Sequence, residues 1–230
     1  MSFALLEGAL SFPCLGCGGE PLGPPNTLCQ DCQSKLGLLK GPYCPGCGAV
    51  LDGVLAICGK CLNEGRRPWK GAVALFDMNG EGKELLHRYK YQDCPELARA
   101  FGHLAAAVLR ERGPAFDMIV PTPLHWTRQW SRGFNQAQLL CERVSAELGV
   151  PTVGALRRIR RTKQQAKLKR SERLKNLVGA FSASGGDICK NKAILLVDDV
   201  MTTGSTLTAA AEALLAAGAS EVNIMVLARR

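Results

Sequence analysis

Residues 193–206, Ala-Ile-Leu-Leu-Val-Asp-Asp-Val-Met-Thr-Thr-Gly-Ser-Thr, constrain the fold of this chain more than any other stretch. Four apolar residues in a row, Ile194 to Val197, lead into two carboxylates, Asp198 and Asp199. This reads as a buried strand with acids at its C-terminal end. A short polar turn follows, and an alanine- and leucine-rich helix over 205–217 leaves it. In open α/β sheets such strand-to-helix corners are where ligands bind. Thr202, Thr203, Gly204, Ser205 and Thr206 bring hydroxyls, a glycine and backbone N–H groups to a helix N-terminus, which suits a phosphate. Two acids beside a phosphate make sense if the ligand also carries hydroxyls to be held or positive charge to be stabilised. A phosphorylated sugar has that combination. Any doubly wound fold also supplies a strand, a capped helix and a nearby acid, so the pattern alone leaves both readings open.

At 230 residues the chain can hold one ordinary domain and a small appendage. Its 47% hydrophobic and 21% charged residues are those of a soluble globular protein. No apolar run approaches the roughly 20 residues needed to span a bilayer. The first twelve residues have neither a basic leader nor a small-residue cleavage site, so the expected location is cytoplasmic. The net charge of +9 is confined to one segment: residues 157–175 hold ten Lys or Arg and one Glu, while the rest of the chain is neutral. A polyanionic partner should therefore be sought at that segment.

Eight of the eleven cysteines form four Cys-x-x-Cys pairs: Cys14/Cys17, Cys29/Cys32, Cys44/Cys47 and Cys58/Cys61. Loops of 11 and 10 residues separate the first pair from the second and the third from the fourth. Such a turn places two thiolates side by side, and two turns complete a tetrahedral four-thiolate site for Zn2+. The spacing predicts two structural zinc sites, Cys14/Cys17/Cys29/Cys32 and Cys44/Cys47/Cys58/Cys61, with cross-bracing as the alternative pairing. An iron–sulfur centre or a redox dithiol are the competing chemistries. Four thiolates leave no open position for water, which disfavours catalysis by the metal. A segment with so little core of its own should need the metal to fold. Chelation is then expected to disorder residues 14–61 and spare the C-terminal part.

Residues 63–68 are polar and punctuated by Gly65 and Pro68, which predicts a boundary between a zinc-ribbon domain over 1–65 and an α/β domain over 66–230. A strand is expected over 71–77, then a short amphipathic helix, then a longer helix opening at Pro95. Lys83, Arg88 and Lys90 read as a solvated helix face. A strand over 117–120 ends in Pro121-Thr122-Pro123-Leu124-His125, a stiff, ligand-facing corner or a plain connection. Trp126, Trp130 and Phe134, set among Arg128 and Arg132, offer either base stacking or core packing.

Residues 193–206 resemble the phosphoribosyl pyrophosphate (PRPP) signature of type I phosphoribosyltransferases: four apolar residues, two acids, two variable residues, then Thr-Thr-Gly-Ser/Ala-Thr. The resemblance implies that Asp198 and Asp199 bind the ribose hydroxyls and that Thr202, Thr203, Gly204, Ser205 and Thr206 cradle the 5′-phosphate. It further implies a mostly parallel sheet with flanking helices, Mg2+ accompanying PRPP, and pyrophosphate at Thr122, Pro123 and Leu124. With four cysteine knuckles, Pro-x-Pro-Leu-His, Arg-Gly-Phe-Asn-Gln and a basic loop ending Asn-x-x-Gly-Ala-Phe in this order, the chain is similar to the ComF/GntX family almost end to end. Thr122 stands where that family usually has Val, and Leu177-Val178 where it has a Val-Arg-like pair; neither touches the acids or cysteines. The family implies a zinc ribbon joined to a phosphoribosyltransferase-like domain. It also implies work in natural competence, on incoming single-stranded DNA and beside other competence proteins, or in DNA use as a nutrient.

The basic segment (Arg157, Arg158, Arg160, Arg161, Lys163, Lys167, Lys169 and Arg170 among its members) corresponds by position to the mobile active-site loop of type I phosphoribosyltransferases. Three readings compete: a cover over pyrophosphate, a backbone track for single-stranded DNA, and a solvated loop. The absence of aromatics argues against a stacking platform there. Function divides likewise between a protein that grips PRPP and handles DNA, and an enzyme transferring phosphoribosyl to an undefined acceptor. No residue designates a general base, and His125 is the nearest candidate. The absence of a Gly-x-x-x-x-Gly-Lys-Ser/Thr loop excludes the usual ATP-driven DNA motor.

Overall fold

The computed structural model describes residues 12–22, 27–92, 94–123, 134–160, 179–184 and 186–230. Its centre is a four-stranded, all-parallel sheet in the order β3 (Ala72–Asp77), β8 (Glu221–Arg229), β7 (Ala193–Met201), β4 (Met118–Pro121). Strands buried on both faces read as unbroken apolar runs instead of alternating ones. Ile194 to Val197 are such a run, each fully buried. The sheet sends alternate residues to opposite faces. Val73, Leu75, Leu195, Val197, Met225 and Leu227 face a layer made by α3 (Gly80–Tyr91), α4 (Leu97–Arg112) and α5 (Gln136–Leu148). Ala72, Ala74, Ile194, Leu196, Ile224 and Val226 face α6 (Ser205–Ala216) and the hairpin of β5 (Leu156–Arg158) with β6 (Phe181–Ala183).

Strand β8 is central, yet 221–229 does not figure among the strands expected from sequence. Its run of Val222, Ile224 and Val226 after Gly218 and Ser220 carries the β-branched signal that marks it. The acids are not at the last residues of β7 either. The strand continues through Val200 and Met201, which pair with Ala228 and Arg229 of β8.

The cysteine-rich segment contributes β1 (Phe12–Pro13), β2 (Pro21–Leu22), α1 (Gln30–Lys35) and α2 (Gly59–Glu64). It has no separate core. Cys14, Leu28, Cys32 and Leu36 join the helical layer's core, whereas Cys44, Cys47 and Cys61 join the core under α6. Leu39 N–H donates to Leu75 O at 2.7 Å, and Gly48 sits so close to Ala74 that an added Cβ would lie 2.8 Å from its backbone nitrogen. The two ribbons therefore clasp opposite faces of the β3 side of the sheet. Among the described residues no helix is long and apolar enough to cross a membrane.

Candidate functional site

Strands β4 and β7 run side by side, Val120 opposite Leu196 and Pro121 opposite Val197, and Thr122 N–H donates to Val197 O at 2.8 Å. This register sets Thr122 beside the acid pair at the carboxyl ends of the strands, where open α/β sheets bind ligands. Asp199 Oδ2 is 3.0 Å from Lys90 Nζ, each side chain only 15% exposed. Asp198 Oδ1 accepts from the Asp199 N–H at 2.9 Å. Burial, and then the Asp199 charge, push the Asp198 carboxyl up to about 7, against the pull of the Asp199 N–H, Lys90 and Arg158.

Lys90 lies outside the residues that sequence reasoning selected. Of the three basic residues read as a solvated face, only Lys83 is exposed. Arg88 donates to Gly16 O at 3.3 Å, tying α3 to the first ribbon, and Lys90 holds Asp199. The available signal is position: Lys90 lies four residues after buried Leu86 and next to buried Tyr89, on the inward side of the helix. Tyr89 donates its hydroxyl to Gln136 O at 2.7 Å, and its phenol is raised by burial and by Asp199. Asn135 caps α5, accepting from Ala137 N–H at 3.1 Å, and reaches Thr122 O at 3.4 Å. The ends of α3 and β4 and the start of α5 thus converge on the acids.

One consequence is measurable. A carbon-13 NMR titration of the carboxylates is expected to place Asp198 near 7, with the group protonated below that pH and ionised above it. Lys90→Met removes a countercharge, so the midpoint should move upward; an unchanged or lower midpoint would show that the ammonium does not act on this carboxyl.

The loop after β7 is bent for a helix start. Gly204 caps α6 with φ of 74°, a left-handed value that favours glycine. Thr203 Oγ1 and Ser205 Oγ are 2.8 Å apart, and Ser205 is buried. The Ser205 hydroxyl therefore shapes the loop from within, while Thr202 is exposed. Thr122 is buried and its Oγ1 has no partner among the described residues. Pro123 is half-buried, and Leu124 and His125 lie outside the described residues.

In the basic segment, Arg157 and Arg160 are exposed, and the Arg158 guanidinium lies over the Phe181 ring, 5.4 Å from its centroid. Arg158 acts electrostatically on Asp198, so the base of the segment lies near the acids. Arg161, Lys163, Lys167, Lys169 and Arg170 lie outside the described residues, as do Trp126 and Trp130. Phe134 is half-buried and packs on the helical core, 6.2 Å from Tyr89 between ring centroids.

The eight knuckle cysteines gather into two tetrads consecutive in sequence, Cys14/Cys17/Cys29/Cys32 and Cys44/Cys47/Cys58/Cys61, with the sulfurs of each within 4.8 Å of one another. A zinc ion held tetrahedrally by four sulfurs at about 2.3 Å needs those sulfurs about 3.8 Å apart. Cys17 and Cys29 are at 3.9 Å, and Cys47 and Cys58 at 3.5 Å. Backbone N–H groups are aimed at the sulfurs, Cys29 to Cys14 Sγ at 3.2 Å and Cys58 to Cys44 Sγ at 3.4 Å. Burial works to raise the Cys14 thiol, but the N–H groups around it outweigh that and bring it down to about 6. These donor sets fit structural Zn2+, which would cross-link the two knuckles of each ribbon. Cys94, Cys141 and Cys189 belong to neither tetrad.

A parallel sheet with an acid pair and a glycine-started helix, clasped by two cysteine tetrads, defines a phosphoribosyltransferase-fold protein with a double zinc ribbon. Residues 135–230 match the phosphoribosyl transferase domain and residues 6–62 the double zinc ribbon domain. Competence protein F of Haemophilus influenzae is 32% identical over 229 residues, 95% of this chain and 97% of that protein. The DNA utilization protein YhgH of Escherichia coli K12 is 35% identical over 208 residues, 88% of this chain and 90% of that one. Competence protein ComFC of Bacillus subtilis is 32% identical, covering 86% of this chain and 81% of its own. This chain belongs to the ComF/GntX family.

Proposed function

We propose that this chain binds Mg2+–PRPP or a related sugar phosphate at the β7–α6 corner and handles single-stranded DNA in natural competence or DNA utilisation. The observation that carries the reading is the pairing of Asp198 and Asp199 in β7 with the glycine-started helix α6 in one continuous strand–turn–helix segment. The carboxylates accept from the ribose hydroxyls, and the loop 202–206 faces the 5′-phosphate with the positive end of the helix dipole. Lys90 and Arg158 supply the cations that a pyrophosphate group needs near the same acids. The names of the relatives, competence protein and DNA utilization protein, support the DNA role. Work on incoming DNA beside other competence proteins would place the chain in the cytoplasm.

Phosphorus NMR tests the ligand. Protein, Mg2+ and PRPP are incubated with and without a panel of bases and nucleotides. Broadened or shifted PRPP resonances without pyrophosphate release support a gripping role, and pyrophosphate that accumulates with one acceptor makes the protein a transferase. PRPP resonances identical with and without protein would refute the ligand. For DNA, each phosphate contact on a single strand contributes a salt slope of about −0.7. Reversing exposed Arg157 and Arg160 to Glu is expected to flatten the slope by about 1.4 or more. An unchanged slope in a filter-binding series across salt would remove the base of this segment from the DNA contact.

A further inference from the structure

The polar stretch after the second ribbon is more than a connection between two parts. Glu64, the last residue of α2, and Arg67 form an ion pair with side chains only 8% and 11% exposed. Helix α2 also carries Cys61, a member of the second tetrad. The same guanidinium donates through Nη1 to Thr203 O at 3.2 Å and lies 5.5 Å from the centroid of the Trp69 ring. Trp69 in turn donates its indole N–H to Pro45 O at 3.2 Å, inside the knuckle between Cys44 and Cys47. Gly204 closes the arrangement: a Cβ there would stand 3.3 Å from both Arg67 Nη1 and the Trp69 ring. Both knuckles of the second ribbon are therefore wired to the loop that precedes α6, one through Glu64 and Arg67, the other through Trp69.

A trans peptide points its carbonyl and its N–H in opposite directions. Arg67 holds the Thr203 carbonyl, so the Gly204 N–H of the same peptide unit is directed the other way. That N–H has no acceptor among the described residues. It is a donor whose direction is set from behind by the bond from Arg67 to Thr203.

We propose that Arg67 is a positioning residue that sets the loop 202–206 for a sugar phosphate and couples that loop to the second zinc ribbon. The inference rests on the reading of this loop as the phosphate site. It states something further: zinc held by Cys44, Cys47, Cys58 and Cys61 keeps α2 and the 44–47 knuckle in place, and these keep Arg67 and Trp69 against the loop. Coupling between two sites is reciprocal, so bound sugar phosphate slows loss of zinc from this tetrad. The first tetrad meets the site through Arg88 and helix α3, which reach the acids and not the loop 202–206, so it is protected less.

The experiment measures two quantities on the whole zinc-loaded chain: the Kd for Mg2+–PRPP by titration calorimetry, and the rate of zinc release to a metallochromic chelator with and without PRPP. Arg67→Ala is expected to weaken PRPP about tenfold or more with two zinc ions still bound per chain. Release in the wild type is expected to show two phases, of which PRPP slows one more than the other. Arg67→Lys can reach Glu64 or Thr203 but lacks the fork to hold both, and should lose less affinity than Arg67→Ala. Glu64→Gln keeps the shape of the pair and serves if the alanine variant does not fold; it is expected to weaken PRPP by a smaller factor and to reduce the protection of zinc. Variants that bind PRPP as the wild type does, or zinc release indifferent to PRPP in a wild type that binds it, overturn the coupling. A wild type that does not bind PRPP at all overturns the ligand assignment itself, a different and recognisable result.

Discussion

Removing both zinc ions is expected to unfold the sheet together with the ribbons. The cysteine spacing by itself suggests two independent parts, with the α/β portion surviving chelation. The packing changes that expectation. Cys14, Cys32, Leu28 and Leu36 are buried among Val73, Leu75, Tyr89 and Phe101, while Cys44, Cys47 and Cys61 are buried among Trp69, Ala72 and Ala74. Losing the ribbons exposes both faces of β3. A structural zinc site contributes roughly 10–16 kcal/mol of binding free energy to folding, against a total stability of about 5–15 kcal/mol for an ordinary domain. Loss of both sites therefore exceeds the whole. Release of the second zinc, followed by a chelator dye, should coincide with loss of amide protection in β8, the strand next to β3. Protection in β8 that persists after both zinc ions have left would show that the sheet stands alone.

The second large effect concerns the acids. Asp198→Asn combined with Asp199→Asn is expected to weaken Mg2+–PRPP at least 100-fold. Each charged hydrogen bond to a ribose hydroxyl contributes on the order of 1.5–3 kcal/mol, and the pair together exceeds two factors of ten. Wild-type affinity in the double variant would exclude the acids from the ligand. Asp198→Asn alone carries a further signature in stability. The native carboxyl titrates near 7 instead of its ordinary value of 3.8, so the folded state holds more protons than the unfolded state between those two pH values. Stability from this group therefore falls as pH rises from about 4 to about 7 and stays low above it. At pH 8 the asparagine variant should be more stable than the wild type, on the order of 4 kcal/mol, with no gain at pH 3. A calorimetric melt at the two pH values checks the sign. A site whose removal stabilises the protein is one kept for function.

Features that depend on neighbours in the chain were legible from the residues alone. Each Cys-x-x-Cys turn brings its own two sulfurs together, whatever the rest of the molecule does. Ile194 to Val197 require burial on both faces, and Gly204 before Ser205 and Thr206 marks a helix start after a tight turn. The two acids and the loop 202–206 are adjacent because they are consecutive. Lys90 is different. Its helix has charged residues on several sides, and only the placement of α3 over the end of β7 turns Lys90 to Asp199 and Lys83 to solvent.

Arg67 makes the same point more strongly. Gly65 and Pro68 mark a polar connector, and a polar connector is ordinarily solvated. The bond from Arg67 to Thr203 joins residues 136 positions apart. It exists because β3, which follows the connector, lies beside β8 and one strand from β7. Strand order is a property of how the whole core closes, and no local pattern encodes it. The sequence determined the parts: four thiolate pairs, an acid pair and a glycine-started helix, each fixed by backbone geometry over a few residues. The tertiary structure decided which cations face the acids and which ribbon braces the loop, since both are contacts between segments that only packing brings together.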